Sequence, residues 1–459
     1  MNYLKEDTIV ALSTAVGKSA IAVIRLSGMN SFKIINKIFR THSKSQKQVK
    51  YGHIVDGTEK KDEVLCTFLR APHTYTGENL VEISVHGNPI IVNEVITLLH
   101  KNGARLAEPG EFTYRAFLNN KMDLTKAEAV CSLIASKTER SAKAALNNLS
   151  GEFSLKIKNI NTVLTNITLL METTLEYPEE DIVFLSHDKK VIKLDSCIKN
   201  IQNLLDSYKT SKILQHGIKS AIIGRPNVGK SLLLNKILGK NRAIVTNIAG
   251  TTSDSIEETI NYKGVALTII DTAGIRTHVR NLIESLGQKK TKETIRKSDV
   301  LIWLFDASSE LDKDDKKIAK FIGRSDFNRP VIGVLNKSDL FLKLSPNSIA
   351  HDFSFSTIIS ISAKTGIGIL TLLDELTKIA GLSDSMGDCL TINFRHFILL
   401  KKAQESLLRT KQLVDLEEDN DEIICFEVKR AQMALNEILG IDIKQDILDA
   451  IFSTFCIGK

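Results

Sequence analysis

The chain has 459 residues, 43% of them hydrophobic and 25% charged, with a formal net charge of +7 at pH 7. That length exceeds one ordinary core and implies about two to four domains; no run of about 18 apolar residues appears, which excludes a membrane-spanning helix. Six scattered cysteines point to reduced thiols rather than a disulfide scaffold or a zinc site, and the opening residues lack the apolar core of a signal peptide, so a cytoplasmic setting is expected.

In chain order, residues 8–26 read as two strands joined by a turn. Gly17-Lys18-Ser19 looks like the end of a phosphate-binding loop, but Leu12 stands where the first glycine belongs. Phe32, Ile35, Ile38 and Phe39 at helical spacing predict a short helix, and strands follow over 51–55, 63–69 and 80–86, with a helix over 89–100. Residues 1–121 are therefore expected to form an α+β domain. From Thr125 the pattern turns to long helices. Leu146, Leu149, Phe153, Ile157, Ile160, Leu164, Ile167 and Met171 make one apolar stripe, and a further helix is expected over 188–214. Residues 216–381 alternate strand and helix, with buried strands at 220–223, 265–270, 300–305, 331–335 and 357–361, the pattern of a doubly wound α/β domain. Helices return over 397–413, 422–439 and 445–455, with Gly440 as the break between the last two. The segments 122–215 and 382–459 each hold too few helices for a good core, so they are expected to pack on each other. The α/β domain is then an insertion in a discontinuous helical bundle.

The sharpest signal is Gly224-Arg225-Pro226-Asn227-Val228-Gly229-Lys230-Ser231. It fits G-x-x-x-x-G-K-[ST], between a strand and a helix, so that backbone N–H groups and the helix N-terminus converge on phosphate. Lys230 would reach the β- and γ-phosphates, and the Ser231 hydroxyl would sit on Mg²⁺. Downstream, Ala249-Gly250-Thr251-Thr252 offers a threonine hydroxyl to the Mg²⁺ shell, and Asp271-Thr272-Ala273-Gly274 follows a strand, ready to hold a metal-bound water and sense the γ-phosphate. Asn336-Lys337-Ser338-Asp339 follows another strand, where the Asp339 carboxylate can accept paired hydrogen bonds from guanine. Ser362-Ala363-Lys364 would close over the base. With Asn227, Val228 and Gly229 in the cradle, these motifs favour GTP over ATP. Ile275 follows Gly274, where Ras-type GTPases carry a water-orienting Gln, so another group must place the water.

These motifs and several outside them make the chain resemble the tRNA-modification GTPase family MnmE, also called TrmE. The added stretches are Asp7-Thr8-Ile9-Val10-Ala11, Ile24-Arg25-Leu26-Ser27-Gly28, Tyr75-Thr76-Gly77-Glu78, Pro109-Gly110-Glu111-Phe112-Thr113, Arg115-Ala116-Phe117-Leu118-Asn119 and the closing Cys456-Ile457-Gly458-Lys459. The resemblance implies an inserted Ras-like P-loop GTPase domain and a homodimer formed through an N-terminal domain that binds a 5-formyltetrahydrofolate-type donor. It implies a bacterial cytoplasmic setting and an FAD-dependent MnmG (GidA)-type partner in a heterotetramer. Together the partners build a carboxymethylaminomethyl-type group on C5 of the wobble uridine of certain tRNAs. By family position, Arg25, Glu82, Lys121 and Lys459 would contact the folate, and Cys456 would act as nucleophile or acid. K⁺ would be held by Asn227, Thr246, Ile248 and Thr251, in a loop with Asn247, Ala249 and Gly250. Ser231 and Thr252 would hold Mg²⁺, and Glu284 would orient the water. Three departures from the family stand out: Ser253 replaces an arginine, the spacing from Asp271 to Glu284 is one residue longer, and Asn88 replaces a glycine. The alternative reading is a ribosome-assembly GTPase switch that binds rRNA; folate binding separates the two.

Overall fold

The computed structural model describes residues 7–41, 48–176, 187–240, 257–271, 289–324, 329–379, 390–416 and 421–459. The chain divides into two compact units. The first is Met1–Ser132, Asn148–Ile201 and Ile398–Lys459, and the second is Leu133–Asn147 and Gln202–Phe397.

The first unit begins with β1 (Ile9–Leu12), β2 (Ser19–Ser27), α1 (Ser31–Ile38), β3 (Phe39–Arg40), β4 (Val49–Asp56), β5 (Glu59–Leu69), β6 (Leu80–Gly87), α2 (Pro89–Lys101) and β7 (Arg105–Leu106). The strands form one seven-stranded sheet of order β3-β4-β5-β6-β2-β1-β7. Alternation puts Ile24, Leu26, Ile54, Val64, Val81, Ile83 and Val85 on one face. There they share a core with Ile34, Ile35 and Ile38 of α1 and Val92, Val95, Leu98 and Leu99 of α2. Phe39, expected in the first helix, is instead a strand residue paired with Ile54; its ring still enters the core, so the apolar spacing misled about the backbone. Asn88 caps α2, its side chain accepting from Ile90 N at 2.9 Å ahead of Pro89, which accounts for a polar residue in place of glycine.

Helices α3 (Glu111–Leu118), α4 (Leu124–Ala135), α5 (Glu139–Ser150), α6 (Glu152–Glu176) and α7 (His187–His216) follow, most of α5 and the second half of α7 belonging to the second unit. The expected apolar stripe holds from Phe153 to Met171, all buried, but Leu146 is 50% exposed. Gly151, at φ +102, separates α5 from α6 and resets the helical phase.

The second unit adds β8 (Ile218–Ile223), α8 (Lys230–Lys240), β9 (Glu257–Tyr262), β10 (Val265–Asp271), α9 (Lys289–Lys297), β11 (Val300–Asp306), α10 (Lys313–Arg324), β12 (Val331–Asn336), α11 (Pro346–Asp352), β13 (Thr357–Ser360) and α12 (Ile369–Ile379). Its six-stranded sheet has the order β13-β12-β11-β8-β10-β9. All pairings are parallel except β9 with β10. β11 and β12 are buried on both faces, as a sheet covered by helices on each side requires. The edge strand β9 has no counterpart in the sequence expectation, because Glu257, Glu258 and Asn261 mask its two buried residues, Ile260 and Tyr262.

The chain ends with α13 (Phe394–Asp415), α14 (Asp421–Leu439) and α15 (Gln445–Ser453). In the first unit α14 lies along α6, joined by Asn161 Nδ2 donating to Asn436 Oδ1 at 2.7 Å and by Lys429 with Glu172 at 2.5 Å. Phe452 and Phe455 pack against Tyr114, Leu124 and Ala127. They bring the last residues to the sheet, where Ser13 Oγ donates to Gly458 O at 3.1 Å.

Candidate functional site

In the second unit the phosphate loop leaves the carboxyl end of β8 and runs into α8. Gly224 has φ +148, and a Cβ there would overlap the Leu304 carbonyl oxygen; Gly229 has φ +99, and a Cβ would overlap the Asn336 amide. Both positions need glycine, so the motif spacing is a packing requirement as well as a phosphate one. Asn227 is exposed and left-handed, at φ 63, while Val228 is buried. Lys230 is 5% exposed, and its ammonium donates to Gly224 O and Arg225 O at 2.8 Å each. The lysine thus folds over its own loop, with its charge held where an anion would lie. Ser231 stands exposed in the first turn of α8, where backbone N–H groups lack helical partners.

The base motif comes from the ends of β12 and β13. Asn336 Nδ2 donates to Val228 O at 2.7 Å, and Asn336 Oδ1 accepts from Ala363 N at 2.9 Å. One buried side chain therefore links the phosphate loop, the N-K-S-D loop and the S-A-K loop. Lys337 is left-handed at φ 67 and donates to Asp306 Oδ2 at 2.6 Å. Burial opposes ionisation of Asp306, yet Lys337 and the donors of Ser308 hold its carboxyl below the usual range. Asp339 accepts from Ser362 Oγ at 2.6 Å. That hydrogen bond, aided by the charges of Lys364 and Lys337, lowers its pKa and keeps it an acceptor. Ser362 and Ala363 are buried, and Lys364 is exposed. Asp271 is the last residue of β10, in register with Ile222 of β8, which puts it at the same sheet end. Thr246, Asn247, Ile248, Ala249, Gly250, Thr251, Thr252, Thr272, Ala273, Gly274 and Glu284 lie outside the described residues.

A second cluster sits on the sheet of the first unit. Arg25 and Glu82 are cross-strand partners on β2 and β6, and the guanidinium donates to Glu82 Oε1 from Nε at 3.1 Å and from Nη2 at 2.7 Å. Its carbon lies 5.2 Å from the Tyr75 ring centre and 5.7 Å from that of Phe112. Its remaining nitrogen, Nη1, is buried and has no hydrogen-bond partner among the described residues. Lys459 is beside it: burial, then the charge of Arg25, lowers the lysine's pKa, against the opposing pull of Glu82 and Cys456. Cys456 is exposed, and its carbonyl accepts from Gly110 N at 3.4 Å. Burial, then the neighbouring Cys456 thiol, raises the pKa of Cys131. Lys121 is turned to the preceding loop, donating to Pro72 O at 3.0 Å.

Sequence reasoning missed Tyr75 and Phe112 as the rings against the Arg25 guanidinium, and also an ion network centred on Glu111. Glu111 is fully buried and accepts from Arg105 Nη2 at 2.6 Å and Arg115 Nη2 at 3.0 Å. Arg115 also binds Asp7 and, at 3.2 Å, Glu78. Their signal was present, since each of these residues except Arg105 falls within one of the quoted stretches. Among the described residues, no helix is long and apolar enough to cross a membrane.

Residues 8–121 match the family model described as GTP-binding protein TrmE N-terminus, and residues 124–456 match that of the MnmE helical domain. The tRNA modification GTPase MnmE of Endomicrobium trichonymphae is 66% identical over 459 residues, covering 100% of this chain and 100% of the relative. That of Aquifex aeolicus (strain VF5) is 41% identical over 457 residues, covering 99% of this chain and 100% of the relative. A solved structure of Aquifex aeolicus Era bound to GDP.AlF4- is 26% identical, covers 42% of this chain and 67% of its own, and has a TM-score of 0.28.

Proposed function

This chain belongs to the tRNA modification GTPase MnmE family, and we propose that it hydrolyses GTP to drive modification of the wobble uridine of tRNA. The observation that carries the nucleotide half is the Asn336 linkage, which joins three loops into one cradle with an ionised carboxylate at the base end. The phosphate loop and the head of α8 take up the phosphates. Lys230, now on its own carbonyls, would exchange these for phosphate oxygens. Asp339 selects guanine because its carboxylate accepts from N–H donors that adenine does not present in that pattern.

Ser231, at the mouth of the cradle, suits Mg²⁺, with Thr252 as the second hydroxyl, and such an ion would neutralise charge building on the β- and γ-oxygens. Asn227 is exposed and suits K⁺, with Thr246, Ile248 and Thr251 as further ligands, and Glu284 is the residue assigned to the attacking water. Asp271, Thr272, Ala273 and Gly274 complete the γ-phosphate end.

The Arg25 pocket suits a folate of the 5-formyltetrahydrofolate type, which would supply the one-carbon unit. Its Nη1 is a buried donor without a partner among the described residues, the partly exposed Tyr75 offers a flat ring, and Glu82 and Lys459 offer one charge of each sign. Lys121 lies at the edge, where release from Pro72 would free it for an anionic tail. Cys456 is the residue assigned to acid or nucleophile work. The same sheet face is uncovered by α1 and α2 and carries Ile21, Tyr51 and Leu65, which are 60%, 57% and 46% exposed. This apolar patch supports a homodimer formed there. The FAD-dependent MnmG (GidA)-type partner, the heterotetramer, the carboxymethylaminomethyl product and the bacterial cytoplasmic setting complete the proposal. So does the domain plan of 1–121, 122–215, 216–381 and 382–459, with the GTPase segment carried inside the helical domain.

The test is mass spectrometry of tRNA nucleosides from a deletion strain complemented with wild type, Lys230→Ala or Cys456→Ser. Restoration of the C5-modified uridine by wild type alone supports both halves of the proposal. A modified uridine that never depends on the chain refutes the tRNA role and turns attention to rRNA.

A further inference from the structure

Between β11 and α10 lies a segment, Asp306 to Asp315, that touches both halves of the nucleotide cradle. At its start Asp306 accepts from Lys337 Nζ at 2.6 Å through Oδ2, while Oδ1 accepts from Ser308 N at 3.0 Å and Ser308 Oγ at 2.6 Å. Ala307 N donates to Asn336 O at 2.9 Å, and the Ala307 carbonyl accepts from Lys343 N at 2.8 Å. The start of the segment is thus clamped to the base-recognition loop.

Three residues after Asp306 the chain meets the phosphate loop. Ser309 N donates to Asp306 O at 3.2 Å, and the Ser309 hydroxyl accepts from Nη2 of Arg225, the second residue of the loop. The other guanidinium nitrogens reach the end of the segment: Nη1 is 3.8 Å from Asp312 Oδ2 and Nε is 3.9 Å from Asp315 Oδ2. Asp315 is 1% exposed and its Oδ1 has no hydrogen-bond partner among the described residues. Its Oδ2 also accepts from Asp312 N at 3.1 Å, and burial raises its pKa while the charge of Arg225 opposes that rise, so the guanidinium is held where it favours the charged carboxylate. At the opposite end Lys337 holds a left-handed backbone, at φ 67, that a long side chain rarely adopts. Its ammonium is the group bound to Asp306.

We propose that the Asp306 to Asp315 segment is a second tie between the phosphate loop and the base-recognition loop, with Arg225 and Asp306 as positioning residues for GTP. The first tie is direct, through Asn336. The second runs Lys337 to Asp306 to Ser309 to Arg225 and presets the distance between the two halves of the ligand. This deepens the nucleotide reading above and rests on it. A preset cradle spares GTP the cost of ordering two loops separately. Loss of the tie therefore appears in affinity, while the choice of base, which rests on Asp339, and the hydrolytic step stay as they are.

The experiment uses the full chain as wild type, Arg225→Lys, Asp306→Asn and the double variant. Kd for GTP and for ITP, kcat and KM are measured, with the thermal midpoint of the nucleotide-free protein. Arg225→Lys keeps the charge but loses the fork that spans Ser309 and Asp315. Each single variant is expected to raise the Kd for GTP about tenfold, the scale of one charge-assisted hydrogen bond. The GTP-to-ITP ratio and kcat should stay within about twofold, and Asp306→Glu should recover much of the affinity. The double variant should be no worse than the weaker single one, because both cut the same tie.

Effects that multiply in the double variant refute the tie, as does a kcat that falls together with affinity. A loss of affinity matched by an equal loss of nucleotide-free stability also refutes it, since that is plain destabilisation. Wild type that binds GTP alongside variants that match it removes this proposal alone. Wild type that fails to bind GTP removes the nucleotide reading and the proposal with it.

Discussion

Replacing Gly458 by Ala tests whether the C-terminal tail completes the Arg25 pocket. Gly458 has φ +90, and an added Cβ would overlap the Leu12 carbonyl oxygen and stand 2.8 Å from the Leu12 carbonyl carbon and 2.9 Å from Ser13 Cα. These are backbone atoms of β1 and the turn after it, with no flexible end that could yield. Alanine in this backbone region costs about 1–2 kcal/mol, and a tail that lifts to relieve the overlap forfeits the Ser13 hydrogen bond, about 1 kcal/mol. That bond is lost from the lifted tail of either protein, so the strain of about 1–2 kcal/mol, before the overlap is added, is what moves the docked-to-undocked ratio, by about 5- to 30-fold. With the tail lifted, Lys459 leaves Arg25 and Glu82. Calorimetric titration with 5-formyltetrahydrofolate should show an affinity at least about tenfold weaker, while affinity for GTP is unchanged. Folate affinity equal to wild type, with crystallography or crosslinking confirming that the tail has moved, would refute the assignment of Lys459 to the site.

Other outcomes follow from single contacts. Asp339→Asn replaces an acceptor with a mixed donor and acceptor, so GTP affinity should fall by about a hundredfold or more and xanthosine triphosphate should become the better ligand in competition binding. His86 bonds Asp62 at 2.6 Å, and that bond raises the His86 pKa above its ordinary 6.5. Its stabilising contribution is therefore fully present below pH 6.5 and lost as pH rises through the raised value; a thermal-midpoint difference between wild type and His86→Gln that grows with pH would contradict this. Burial pushes the Cys66 thiol up to about 12 and Cys197 up to about 11, so iodoacetamide at pH 8 followed by peptide mapping should label the exposed Cys456 and spare those two.

How much was legible depended on the distance over which each signal acts. The phosphate loop was readable because its two positive-φ glycines, Lys230 and Ser231 fall within one short stretch, and buried runs such as Val331 to Leu335 announce strands by themselves. Asp339 was readable for the same reason. Asp306 was not, because it meets Lys337 only when two parallel strands come side by side. Tyr75 and Phe112 stood in quoted motifs without a role, because only the folded sheet brings both rings within 6 Å of the Arg25 guanidinium. The edge strand β9 stayed hidden because one of its faces is polar. Gly151 was passed over because the apolar spacing on its two sides nearly agrees across the break. The hydrogen bond of Lys121 to the Pro72 carbonyl was likewise out of reach of the sequence, since it joins residues 49 positions apart.

The bond between Ser13 and Gly458 spans 445 positions of sequence, and this fixes when the pocket can exist. Arg25 and Glu82 leave the ribosome early, while Lys459 is added about 20–75 s later at ordinary elongation rates. The whole GTP-binding unit is translated in that interval. A chain stopped before its tail therefore holds the Arg25–Glu82 pair without Lys459 beside it, and the three come together only after the GTP-binding residues have been made.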